Sequence, residues 1–544
     1  MFKEKREIQL IYGVIAVFFL AFLLTPLVTL LLQSFQTGQG IGLANFRAIT
    51  GDRDFVIALK NSVLISTVTA LITTVLAFML AYAVNCTHIA RLLKAVIRTG
   101  ILLPMLLPTI TYGFAIIYSF GKQGLLTKWF GGELFTIYGF NGLLIGYVIY
   151  TLPPAFLLLD NSFKYIDKKF MIVSELMGDG FLRSFLNTVF RPLIGTLGGA
   201  LAITFILTFT DFGIPASVGG TYSVIATQLY QVMLGALPNF NNGSAIAMLM
   251  LSPAVIGVLF LNYLERFNFH YNKTSVIDVT KNKLRDMLLL VASLAMVAAI
   301  VLVFLVMFIT PFVTNFPYDM SFTTKFFRET LFSRPIADAY QNSLLTAMGT
   351  AVAGTVLAYG AAVINVRTRL RKPAKVSIDF CSMLTNTVPG MVLGLAYLLL
   401  FKGSDFKGTF TILVICNIVH FFTTPYLMAK HSLAKMSPAW EITGELMGDT
   451  WFKTIVRVII PNSFSTLVEM FSYYFINAMV TISAIIFLVS AQTAVVTSKI
   501  KELQHFASFN EIFVLSILIF LTNLCVKTGG DAVSKKLTFT QQRE

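Results

Sequence analysis

The sequence predicts an all-α polytopic membrane protein of about twelve transmembrane helices, arranged as two tandem six-helix units of the same orientation. Three observations predict it. Of 544 residues, 56% are hydrophobic and only 12% are charged, a balance that a soluble chain of this size does not show. Apolar runs long enough to cross a ~30 Å hydrocarbon layer recur along the whole length. Finally, the pentapeptide Glu-Leu-Met-Gly-Asp is written twice, at Glu175 to Asp179 and at Glu445 to Asp449, 270 residues apart.

The expected spans are about 8–32, 61–85, 98–120, 142–160, 193–213 and 244–265, then 287–311, 342–365, 376–401, 409–429, 463–489 and 511–527. A membrane barrel is not expected, since it would show short alternating segments instead of these long runs. The first run follows Lys3, Lys5 and Arg6 but is too long for a secretory signal and has no small-residue cleavage site after it, so it reads as a retained helix. Cys86, Cys381, Cys416 and Cys525 are scattered in or near apolar runs, as buried thiols are, with no disulfide or metal spacing.

Charge orients the chain. With the amino terminus inside, the inner loops and tails hold 29 of the 41 Lys and Arg residues, and the stretch 214–243 has no charge at all. This positive-inside bias places both termini in the cytoplasm. The net charge of +15 is then topology and contact with anionic membrane lipid. A nucleic-acid partner is not expected, because the basic residues form no continuous stripe.

Other landmarks repeat with the pentapeptide. Thr25-Pro26 is answered by Thr310-Pro311 and Pro104 by Pro389, both at an offset of 285, and Asn61-Ser62 by Asn342-Ser343 at 281. Pro153 and Pro425 are 272 apart. A shorter outer loop in the second half, about 402–408 against 121–141, explains the falling offset. The expected units are 1–265 and 287–544, joined by a cytoplasmic linker at 266–286. Each has a long polar inner loop, 161–192 and 430–462, containing the pentapeptide and ending near a proline. Acidic residues early and basic ones late suit a short helix there, with Gly178 and Gly448 turning the chain.

Gly448, nine intervening residues and Val458-Ile459-Ile460-Pro461 resemble the cytoplasmic signature of bacterial ABC importer permeases. The first copy is one residue longer between Gly178 and Pro192, and neither copy keeps the signature's leading Glu-Ala-Ala. In that family the loop is a coupling helix docked on an ATPase. The resemblance therefore implies two copies of a cytoplasmic ATPase subunit, with Glu175, Gly178, Asp179, Glu445, Gly448 and Asp449 as coupling residues. It also implies an extracellular or periplasmic substrate-binding protein and a multi-pass bacterial cell-membrane location.

Intramembrane polar residues are functional candidates because a charge near the bilayer centre costs ~2.5–3.5 kcal/mol. Asp211 closes the fifth span, and Thr481, with Ser483 beyond it, occupies the matching place 270 residues later. These three are the expected substrate path, with Glu469 a deeper carboxylate that suits pairing with a neighbouring helix. Thr210-Asp211-Phe212-Gly213-Ile214-Pro215 and Thr481 to Leu488 are similar to fused permeases of the ferric iron group, and also to those for 2-aminoethylphosphonate and, more remotely, polyamines or thiamine. Ferric iron is the substrate that this resemblance implies.

No phosphate-binding Gly-x-x-x-x-Gly-Lys-Ser/Thr segment and no helix-borne histidine pair occur, so no catalytic residue, metal site or cofactor is expected in this chain. The alternative of another class is an ion-coupled secondary transporter. The long repeated inner loops favour the ATPase-linked reading over it.

Overall fold

A computed structural model describes residues 6–38, 40–133, 135–167, 169–265 and 282–541. The expected linker lies largely outside the described residues. The chain is almost wholly helical; the only strands among the described residues are two short antiparallel hairpins, Gln36–Thr37 with Gly40–Ile41 and Val313–Asn315 with Asp319–Phe322.

Among the described residues, eight helices are long and apolar enough to cross a membrane, or up to eleven if three sharply bent pairs each count as one span. The expected span at 463–489 is the exception. Its helix stops after 17 residues, at Val480, and the chain beyond it turns.

Proline makes the sharpest bends. The pairs Arg91–Leu106 with Thr109–Trp129 and Lys372–Thr387 with Gly390–Leu400 are bent by 109° and 106°. Pro108 and Pro389 stand at the two corners with extended backbone, and so do the residues before them, Leu107 and Val388. Proline offers no N–H to the preceding turn and drives its predecessor out of the helical region. The partner of Pro389 is therefore Pro108, at an offset of 281, and the expected pairing with Pro104 is corrected.

The same contacts recur at fixed offsets. Asn61 Nδ2 donates to the Ser223 carbonyl at 3.0 Å, and Asn342 Nδ2 to those of Gln492 and Ala494 at 3.1 and 3.0 Å. Ser62 Oγ accepts from the Ile225 N–H at 2.8 Å, and Ser343 Oγ from that of Val496 at 2.7 Å. Beyond the outer loops the offset is 270: Thr196 donates to Ser162 at 3.2 Å and Thr466 to Ser432 at 2.8 Å. This register sets Pro153 opposite Thr423, not Pro425.

Nor do the two Thr-Pro pairs coincide. Thr25-Pro26 begins the helix Thr25–Phe35, whereas Thr310-Pro311 lies directly before the strand Val313–Asn315.

Small residues let the long helices approach closely, as is common in membranes. Ser62, Ser66, Thr69, Thr73, Ala77 and Ala81 are buried along one side of Arg53–Asn85, where Thr73 and Thr151 hydroxyls meet at 3.1 Å. The first helix of each half packs against the other half. The Tyr397 hydroxyl donates to the Phe22 carbonyl at 2.5 Å, and the rings of Tyr112 and Phe304 sit 5.2 Å apart. Cys86, Cys381, Cys416 and Cys525 form no disulfide among the described residues.

Candidate functional site

The helices Ile194–Thr210 and Phe464–Val480 stop at Asp211 and Thr481 in nearly the same backbone conformation, φ −71° and ψ 137° against φ −71° and ψ 140°. The turns that follow wedge against the bent pairs. A methyl group on Gly113 would lie 2.0 Å from Ser217 Oγ, and one on Gly394 would lie 2.3 Å from the Ala484 carbonyl oxygen. Glycine is required there because two backbones approach closely.

Between these broken elements lies a cavity of about 290 Å³, lined from both halves. Asp211, Thr481 and Ser483 all line it, so the tertiary structure brings the three together. Both proline corners contribute, through Leu107, Val388 and Pro389. The Asp211 carboxylate accepts from the Ile214 N–H at 2.9 Å. It therefore caps the turn it precedes while facing the cavity. Thr481 uses its carbonyl instead, accepting from Thr497 Oγ1 at 2.9 Å.

Sequence reasoning missed the aromatic lining: Tyr112, Tyr150, Phe421 and Tyr473, with His420. Tyr112, Tyr150 and Tyr473 lie within helices, and His420 and Phe421 lie at the break between Phe410–His420 and Thr423–Ala434. All are in apolar runs, where spacing alone does not set them apart from core. Asp211 is the sole carboxylate among the lining residues, and no Lys or Arg joins it. Glu469 is not in the cavity; it is exposed and accepts from Ser534 Oγ of the last helix at 3.2 Å.

The two pentapeptide loops share one geometry. Each is a short helix, Lys169–Leu176 or Ala439–Leu446, ended by a glycine with positive φ, +78° at Gly178 and +80° at Gly448. The next N–H reaches back five residues, Asp179 to the Ser174 carbonyl at 3.1 Å and Asp449 to that of Gly444 at 2.9 Å. That is the left-handed helix stop for which glycine is preferred.

The aspartates hold this turn from within. Asp179 accepts from Ser174 Oγ at 2.7 Å and pairs with Arg183 at 3.3 Å, and Asp449 pairs with Lys453. Glu445 is half-buried beside a cavity of about 250 Å³ that Arg367, Glu441 and Trp451 also line. The side chain of Glu175 lies outside the described residues. What each tip offers outward is apolar: Leu176 and Met177 are 82% and 78% exposed, Leu446 and Met447 83% and 77%.

The expected extra residue of the first loop is not an insertion. The 270 offset holds from the pentapeptide to Thr196 and Thr466, so the proline has moved by one place within a shared register.

Residues 351–538 match the family described as binding-protein-dependent transport system inner membrane component. That match falls within the second half of the chain, and the long apolar helices make the protein an all-α, multi-pass membrane protein. It is 26% identical to the ferric transport system permease protein FbpB of Actinobacillus pleuropneumoniae, over 90% of this chain and 72% of that one. It is likewise 26% identical to the putative ferric transport system permease protein FbpB 1 of Haemophilus influenzae, over 89% of this chain and 78% of that one. The bacterial alginate ABC transporter, solved in complex with an alginate pentasaccharide-bound periplasmic protein, aligns with 50% of this chain and 98% of its own at 18% identity and a TM-score of 0.39.

Proposed function

We propose that this chain is the membrane-spanning subunit of an ATP-driven importer that passes ferric iron from an external binding protein to the cytoplasm. The observation that carries this reading is the cavity between the two sets of broken helices, in a chain related along most of its length to ferric transport permeases. A cavity with one carboxylate, several hydroxyls and no Lys or Arg favours a cation over an anionic solute such as a phosphonate. Carboxylate and hydroxyl oxygens are also hard donors, suited to a hard cation. No group of three or more His, Cys, Asp or Glu that could hold a metal ion occurs among the described residues. Weak holding suits passage, since a transported ion must leave as readily as it arrives.

The chain is read as two six-helix units, 1–265 and 287–544, joined by the linker 266–286, with both termini cytoplasmic. Two ATPase subunits dock on the pentapeptide loops, and hydrolysis belongs to them. The exposed Leu176-Met177 and Leu446-Met447 make the apolar contact, and an adaptable methionine suits such a surface. Gly178, Asp179, Gly448 and Asp449 set the turn that presents them, with Glu175 and Glu445 on the helices behind.

Reconstitution with the cognate ATPase and binding protein in proteoliposomes tests this. Uptake of radioactive ferric iron should require internal ATP and stop with vanadate. Uptake that survives ATP depletion and collapses with an ionophore would make the chain an ion-coupled transporter instead.

A further inference from the structure

The two pentapeptide loops are not anchored alike. Arg367, the last residue of the helix Arg334–Arg367, has a side chain only 4% exposed. Its Nε and Nη2 fork onto the two carboxylate oxygens of Glu441 on the loop helix. Nη1 donates to the Met436 carbonyl and Nη2 to that of Ser437, both at 2.9 Å, in the turn that leads into that helix. Beyond Gly448, Trp451 Nε1 donates to the Arg367 carbonyl at 3.4 Å. One residue thus ties the start, the helix and the exit of the second loop to a membrane-spanning helix.

The first half cannot build this. At the same offsets Arg367 corresponds to Cys86 and Glu441 to Met171, and a thiol and a thioether form no forked ion pair. The neighbouring thread is otherwise shared: Lys94 Nζ donates to the Thr87 carbonyl at 2.7 Å, and Lys375 Nζ to that of Thr368 at 2.6 Å. Near Cys86 the available guanidinium comes from elsewhere. Arg285, at the start of the helix Lys283–Ile309, forks onto Asp286, whose other oxygen accepts from the His88 N–H at 3.1 Å.

We infer that Arg367 is a positioning residue that fixes the second loop helix rigidly to the span 334–367, so that the two docking points differ in stiffness. The span it grips packs against Phe464–Val480, the helix that ends at the cavity: Tyr359 and Ser463 hydroxyls meet at 2.6 Å, and the Tyr474 ring fills the space beside Gly354. A push on the second loop is therefore delivered to the cavity wall with little slack. The functional half of this inference rests on the importer reading; the mechanical half does not.

Hydrogen exchange on the full chain in detergent or nanodiscs tests the mechanical half. Residues 439–449 should exchange more slowly than 169–179. Arg367→Lys, which keeps the charge and loses the fork, should remove the difference while exchange in 342–360 stays unchanged. Glu441→Gln should do so in part, and it decides the matter if the lysine variant does not fold. Equal exchange of the two loops in the unaltered chain, or undiminished protection in the variants, overturns the proposal.

In the reconstituted complex, iron taken up per ATP hydrolysed should fall about two- to thirtyfold in Arg367→Lys, with the ATPase still bound. An unchanged ratio alongside lost protection overturns the role in coupling. A chain that binds no ATPase at all refutes the importer reading and leaves the exchange result to stand by itself.

Discussion

Arg98 and Asp160 meet at 2.9 Å, and the positions equivalent to them in the second half, Asp379 and Lys430, meet at 2.5 Å with the charges exchanged. The contact has been kept while both partners changed sign. Local support differs: Asn85 Nδ2 adds a 2.7 Å bond to Asp160, and the Tyr426 hydroxyl adds one of 2.6 Å to Asp379. A pair that survives such an exchange is valued for its geometry, because only opposite charges at that spacing satisfy the buried carboxylate.

The first prediction follows from this exchange. Arg98→Asp alone should destabilise the protein in detergent by about 1–3 kcal/mol, a range reduced because the arginine is 42% exposed. Arg98→Asp combined with Asp160→Lys copies the second half and should recover most of the loss. Thermal unfolding of the two variants decides it, and a double variant no better than the single would refute the equivalence.

Two kinds of glycine should respond differently to alanine. At Gly448 a methyl group meets nothing within 4 Å, but φ is +80°, so Gly448→Ala should cost about 1–2 kcal/mol of local backbone strain. That cost falls on the docking turn, so ATPase binding should weaken more than overall stability does. Gly394→Ala places carbon against the Ala484 carbonyl and should lower folded yield outright. Gly360 has open space and an ordinary φ inside a helix, and Gly360→Ala should gain about 0.5–1 kcal/mol.

Asp211 both caps a turn and faces the cavity, and two substitutions separate those roles. Asp211→Asn keeps an oxygen for the Ile214 N–H and removes the charge, so it should preserve stability and reduce iron uptake. Asp211→Ala also loses the cap and should cost about 1 kcal/mol more. Equal uptake by the asparagine variant and the parent protein would show that the carboxylate serves the turn alone.

The exposed Leu-Met tips should matter more to assembly than the acidic residues beside them. Leu446→Ser with Met447→Ser removes apolar contact at the second loop and should weaken co-purification of the ATPase. Asp449→Asn, whose parent carboxylate is already engaged with Lys453, should have the smaller effect. The reverse ranking in a pull-down would return the docking role to the carboxylates.

Much of this was legible along the chain. Long apolar runs require helices in a membrane, because backbone groups there must be satisfied within the segment, and eleven of the twelve expected spans coincide with helices or bent pairs. The twice-written pentapeptide located both loops, and its glycines do turn the chain. Pairing by residue identity was less reliable. Proline at 104 and proline at 389 look alike in sequence, but only position 108 has the corner geometry of Pro389.

The sequence by itself determined the class, the helical content, the repeated loops and the polar residues at the ends of the fifth and eleventh runs. These follow from local terms: hydropathy, backbone hydrogen bonding, and the special angles of proline and glycine. Only the tertiary structure decided that Asp211, Thr481 and Ser483 face one cavity, that the loop tips expose leucine and methionine while the aspartates turn inward, and that Arg367 has no counterpart at Cys86. Those facts depend on which distant helices touch, and a contact between residues hundreds of positions apart leaves no local trace in the chain.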